Sequence, residues 1–168
     1  MNRLSNEARE SFEDCRTFAG SIMFDRLFAE GMALVDETAR YLDGRGREQS
    51  RAMPRNTEVL YAAESLRVTT RLLQTASWLL VQRAVHEGDM RFEDASRERY
   101  RIGSKEICLG ETTEGLESLP LKLQELLRRS GALYRRIARL DEILFGTGAA
   151  EAGARGHLNR LEAALEDL

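Results

Sequence analysis

Apolar side chains that return at steps of three and four residues, over three long stretches interrupted by glycine, constrain this chain more than any other feature. Such spacing puts them on one face of an α-helix and leaves the opposite face to charge. In the first stretch Phe24, Leu27, Phe28, Leu34, Val35, Thr38, Tyr41 and Leu42 form the apolar face, opposed by Asp25, Arg26, Glu30, Asp36, Glu37 and Arg40. This predicts a helix over 21–42. Asp43-Gly44-Arg45-Gly46 should stop it, because glycine supplies the left-handed conformation that caps helix ends, and a basic connector follows to Arg55.

The second stretch predicts a helix over 56–86, capped at Asn56 or Thr57, stopped at Gly88 and roughly 45 Å long. It carries two apolar rows. Val59, Ala62, Ala63, Leu66, Thr70, Leu73, Ser77, Leu80 and Ala84 read as an inner seam, since small residues let neighbouring helices approach closely. Tyr61, Val68, Leu72 and Leu79 lie on a different face. Burial against the other two helices is the main expectation for that second row, and a homodimer or partner interface is the alternative.

The third stretch predicts a helix over 118–145 with Pro120 in its first turn. Its core face is Leu119, Leu123, Leu126, Leu127, Leu133, Tyr134, Ile137, Leu140 and Leu144, and Gly146 ends it. Between Gly88 and Gly115 periodicity breaks, and Ile102 to Gly110 is expected to dock as a strand-like piece or a loop. The expected fold is therefore all-α, a three-helix up-down-up bundle over 21–145. A flexible N-terminal segment, 1–20, should precede it, and a linker and tail, 146–168, should follow, GTGAAEAGARG and then HLNRLEAALEDL.

Composition narrows the function. The formal net charge of −3, from 25 basic and 28 acidic residues, gives no field that would concentrate the chain on nucleic acid or anionic lipid. The longest strongly apolar run, Trp78 to Val81, is too short to span a bilayer, and the charged start lacks the apolar core of a leader, so a cytoplasmic protein is expected. A carboxylate-bridged metal site in a bundle needs paired Glu-x-x-His motifs. The only histidines are His86 and His157. Neither Cys15 nor Cys108 has a local base, no Gly-x-Ser-x-Gly elbow occurs, and no glycine-rich loop follows a strand. No enzymatic activity and no cofactor are expected.

What remains is binding. Glu64, Arg67, Arg71, Gln74 and Trp78 fall at steps of three and four and form one narrow stripe between the two apolar rows. An exposed or half-exposed tryptophan beside arginine and glutamine has the composition of a protein-binding hot spot. Packing of Trp78 inside the fold is the competing reading. On the hot-spot reading, Trp78→Ala with Arg71→Ala would leave the fold intact and weaken partner binding by about 2 kcal/mol or more. On the third helix Arg128, Arg135 and Arg139, with Arg129 and Arg136, point away from the core face. They read as a solvated face balanced by Glu125, Asp141 and Glu142, or as a face for an acidic partner. A nucleic-acid-associated regulator would use the same arginines, but no aromatic residues interleave there to stack bases.

The segment YAAESLRVTTRLLQTASWLLVQRAVHEGDM, preceded by FAEGMALVDETARYLDG and MPR, resembles the regulator of CtrA degradation family. The resemblance covers roughly Phe24 to Leu144, with Glu64 to Arg83 its most specific part. It implies a dimeric three-helix bundle that acts as an adaptor in regulated proteolysis. Such an adaptor binds a ClpX-type unfoldase with its priming factor and presents substrates or further adaptors in the bacterial cell cycle. It also implies a C-terminal extension tied to adaptor activity, for which 146–168 is the candidate here. It assigns no residue role.

Overall fold

The computed structural model describes residues 17, 20–110 and 114–146. The expected flexible segments, 1–20 and 146–168, lie almost entirely outside these residues, as do Cys15 and His157. Every regular element among the described residues is helical.

Helix α1 spans Ile22–Asp43. Ser21 starts it, its Oγ accepting the Phe24 backbone N–H at 3.1 Å, as an N-cap hydroxyl does. The expected basic connector is instead a second helix, α2, Arg45–Arg51. Gly44 between them has φ −104°, so the left-handed stop expected there does not occur. The reason is tertiary: the Tyr41 hydroxyl donates to Gln49 Oε1 at 3.0 Å and ties α2 back onto the end of α1. Gly46 is buried so closely against Tyr41 and Tyr61 that a Cβ would lie 2.8 Å from the Tyr41 carbonyl oxygen.

Helix α3 spans Arg55–Glu87. Pro54 precedes it, and its carbonyl accepts the Glu58 N–H at 2.9 Å. Gly88 ends α3 as expected, with φ +85°, and the Asp89 N–H returns to the Ala84 carbonyl at 2.9 Å. Where a strand-like piece or loop was expected, the chain forms α4, Phe92–Ala95, a 3-10 turn at Glu98–Tyr100, and α5, Lys105–Leu109. These elements are too short to generate a periodic signal. Helix α6 spans Leu121–Phe145. Pro120 stands just before it rather than inside its first turn, its carbonyl accepting the Gln124 N–H at 3.1 Å.

The packing gathers into two compact units, and each long helix gives a segment to both. In the first unit, described over 20–29, 77–103 and 136–146, the core is built from Phe24, Leu27, Trp78, Leu79, Val85, Ile102, Ile137, Leu140 and Leu144. Phe92 stacks on Phe145 with ring centroids 5.4 Å apart. Arg83 covers the Phe28 ring at 3.7 Å and pairs with Asp25 at 3.1 Å. In the second unit, described over 30–76, 104–110 and 114–135, the core is Leu34, Tyr41, Tyr61, Val68, Leu72, Cys108, Leu119, Leu123, Leu126, Leu133 and Tyr134. At its surface Glu37 accepts hydrogen bonds from Lys122 and, at 2.8 Å, from Arg129.

Helix α3 reverses the sequence expectation. The row expected inside is outside: Val59, Leu66, Leu73 and Leu80 are exposed. Tyr61, Val68, Leu72 and Leu79 are buried instead. Bulk explains the reversal, because a face of tyrosine, valine, leucine and the adjoining tryptophan removes far more apolar area from water than one padded with alanine, serine and threonine.

Candidate functional site

The second unit contains an open groove of about 500 Å³ between α3, the end of α5 and α6. Helix α3 supplies Glu64, Arg67 and Arg71, one turn apart on a single face, while α6 supplies Arg128 and Arg135. Four guanidinium groups thus share the groove with one carboxylate, and Leu109, Leu116 and Leu127 provide apolar wall between them.

Arg71 is the fixed point. It is only 7% exposed; its Nε donates to the Cys108 carbonyl at 2.9 Å and Nη1 to the Leu127 carbonyl at 3.1 Å. Gly131 makes room for this, since a Cβ there would stand 3.2 Å from Nη1. Both acceptors are backbone oxygens, so the guanidinium is oriented without being neutralised. Burial, then the neighbouring Arg67, pulls its pKa below the ordinary arginine value, while Glu64 acts the other way. Glu64 itself is buried and pairs with Arg67 at 3.6 Å. The Cys108 thiol is pushed up by burial, against a hydrogen bond with Tyr134, which leaves it a protonated core group rather than a nucleophile.

Two residue sets that the sequence kept apart, the α3 stripe and the α6 arginine face, therefore meet here, but only in part. Gln74 does not line the groove, and Arg139 belongs to the other unit. Trp78 is 1% exposed, which corrects the exposed or half-exposed placement on which its hot-spot role depended. Its Nε1 donates to Asp141 Oδ1 at 2.9 Å. Asp141, expected on the solvated face of α6, is buried as well, and Arg101 donates to both of its carboxylate oxygens at 2.8 and 2.9 Å. No spacing rule joins Trp78, Arg101 and Asp141. The one available signal was an acid on a helix otherwise apolar at that angle, next to Leu140 and one turn from Leu144.

A second surface needs notice. Val59, Leu66, Leu73 and Leu80 are 53–66% exposed and follow one another at steps of seven along α3. Between them Ala62, Ala63, Ala76 and Ser77 keep the face low enough for another helix to lie close.

The model of a family described as "Protein of unknown function (DUF1465)" matches residues 15–165. The crystal structure of RcdA from Caulobacter crescentus CB15 matches at 48% sequence identity, over 77% of this chain and 97% of that one, with a TM-score of 0.62. The chain is a member of the regulator of CtrA degradation family. No curated protein matches it. In this member of the family the groove and the exposed α3 row both fall inside the matched 15–165. Among its described residues no group of three or more His, Cys, Asp or Glu side chains could hold a metal ion, and no helix is long and apolar enough to cross a membrane.

Proposed function

We propose that this chain is a cytoplasmic adaptor in regulated proteolysis, which binds protein partners and presents substrates or further adaptors to a ClpXP-type protease in cell-cycle control. The observation that carries the reading is kinship with RcdA at 48% identity over 97% of that chain. Three long helices in an up-down-up bundle serve as scaffold, and recognition is left to what protrudes from them. Two surfaces suit such recognition, the arginine groove for an acidic partner and the leucine row of α3 for a partner helix or a second copy of the chain. Buried Trp78 supports the scaffold instead. Docking one partner on the folded part while 146–168 holds another would raise the effective concentration of each for the other.

The test is reconstitution. Degradation of a dependent substrate by the unfoldase-protease and its priming factor should accelerate when the full chain is added and slow when residues 147–168 are removed. Affinity purification from the native cell should recover the same partners. No acceleration, with no protease component recovered, refutes the adaptor reading. A nucleic-acid role would use the same groove arginines, and would show instead as DNA or RNA binding that falls steeply with salt.

A further inference from the structure

A buried arginine normally has an acid. Transferring a guanidinium out of water is costly unless an opposite charge accompanies it. Arg71 is 7% exposed and reaches only two backbone carbonyls, and among the described residues no carboxylate forms an ion pair with it. Its other N–H donors face a groove whose rim carries Arg128 and Arg135, both exposed and both without an ion pair among the described residues. The site is thus a preorganised cation cluster in a chain of net charge −3, with leucine walls. Guanidinium forks match carboxylates. The complementary ligand is a peptide that alternates acids with leucines.

Such a peptide is present in this chain. Residues 158–168, LNRLEAALEDL, place Leu158, Leu161 and Leu165 at helical steps beside Glu162, Glu166 and Asp167. The groove arginines Arg128 and Arg135 lie roughly 15–30 Å along α6 from its end, at 1.5 Å per residue. The connecting stretch 147–157 spans up to about 40 Å when extended. A tethered segment experiences an effective concentration in the millimolar range, so even weak pairing would keep it docked.

We infer that residues 158–168 occupy the Arg67–Arg71–Arg128–Arg135 groove of their own chain, their carboxylates supplying the acid that Arg71 lacks. Docking shields the groove from acidic partners and withholds the tail at the same time, so a partner that displaces the tail releases both. The inference rests on the groove being a binding surface of the proposed adaptor.

The experiment uses the full chain with the photo-crosslinker p-benzoylphenylalanine in place of Leu165, in an equal mixture of isotopically light and heavy protein. Irradiation should give cross-links from position 165 to the peptides bearing Leu109, Leu116 or Arg128, within single isotopic chains. Their yield should fall at least fivefold in Arg128→Glu with Arg135→Glu, and again in Glu162→Gln with Glu166→Gln and Asp167→Asn, which leaves the folded part untouched. Raising salt should reduce the yield. Cross-links elsewhere on the chain, cross-links only between light and heavy copies, or a yield indifferent to both variants would overturn the inference. The adaptor reading is judged separately by the degradation assay: accelerated degradation with no groove cross-link refutes the docking alone.

Discussion

Replacing Asp141 by alanine should be among the most damaging single changes on α6. The carboxylate is 1% exposed and holds three donors: Trp78 Nε1 at 2.9 Å, Arg101 Nε at 2.8 Å, and the Ile102 backbone N–H at 3.4 Å. Leaving the buried indole N–H without a partner costs about 1–3 kcal/mol. Removing one member of a buried ion pair costs about 3–5 kcal/mol. The lower end applies, because the Arg101 side chain is 23% exposed and keeps a bond to the Phe145 carbonyl at 3.1 Å. Some of these terms overlap, so the expected total is about 3–5 kcal/mol. At about 2–4 °C per kcal/mol for a chain of this size, Tm should fall by roughly 6–20 °C. Asp141→Asn keeps an acceptor for Trp78 and loses only the charge, so it should cost about 1.5–3 kcal/mol. Trp78 is the single tryptophan, and its fluorescence through a urea titration reports unfolding beside circular dichroism at 222 nm. In a cycle with Trp78→Phe, followed by circular dichroism alone, the two changes should couple by about 1 kcal/mol or more. An Asp141→Ala protein within about 1 kcal/mol of the parent, or strict additivity in the cycle, would refute the reasoning.

Gly46→Ala should destabilise by about 2 kcal/mol despite better helix propensity, since the added methyl meets the Tyr41 carbonyl and the Tyr61 hydroxyl; an unchanged Tm would show that α2 can shift at no cost. Lys122, aided by Arg129, holds the Glu37 carboxyl below the ordinary carboxylate range. Its contribution is therefore complete above about pH 4.3 and is lost as pH falls through the lower folded value, so the Tm gap between parent and Glu37→Gln should close between pH 6 and pH 3. A gap that widens on acidification contradicts the pairing. Leu66→Asp with Leu73→Asp should change stability by no more than about 0.5–1 kcal/mol, both side chains being exposed, yet should reduce partner recovery in affinity purification. In a Cys15→Ser chain the Cys108 thiol should resist a disulfide reagent at pH 8 until the protein is unfolded, since it is 1% exposed.

The sequence disclosed most where one face carries all the bulk. Helix α6 is the clear case: each residue from Leu119 to Leu144 assigned to its core face is buried. In α1 the larger members of the expected face, Phe24, Leu27, Leu34 and Tyr41, are buried too. Between α3 and α6 the sequence failed for a physical reason. The turns at Phe92–Ala95 and Lys105–Leu109 are set by what they cover and by donors that arrive from elsewhere, such as Arg71 Nε at the Cys108 carbonyl. Periodicity carries no record of such long-range bonds. The groove was legible in halves, as two arginine sets on two helices, but its assembly depends on Gly131, which reads in the sequence as an ordinary helix-weakening glycine.

Helix α3 shows why polarity alone misleads. It buries Glu64, Arg71, Thr75 and Gln82 while leaving Val59, Leu66, Leu73 and Leu80 in water. A helix chosen only for the stability of its own chain would do the opposite, since each exposed leucine forgoes about 1.5–3 kcal/mol of burial. Inward polar groups recover part of that loss by tying the helix to backbone carbonyls and side chains, as Arg71 does at Cys108 and Leu127. The outward leucines have no such compensation within the described residues. Their seven-residue spacing matches the repeat by which one helix seats against another. An adaptor has reason to keep such a row uncovered, since its apolar area then becomes available to association rather than to folding.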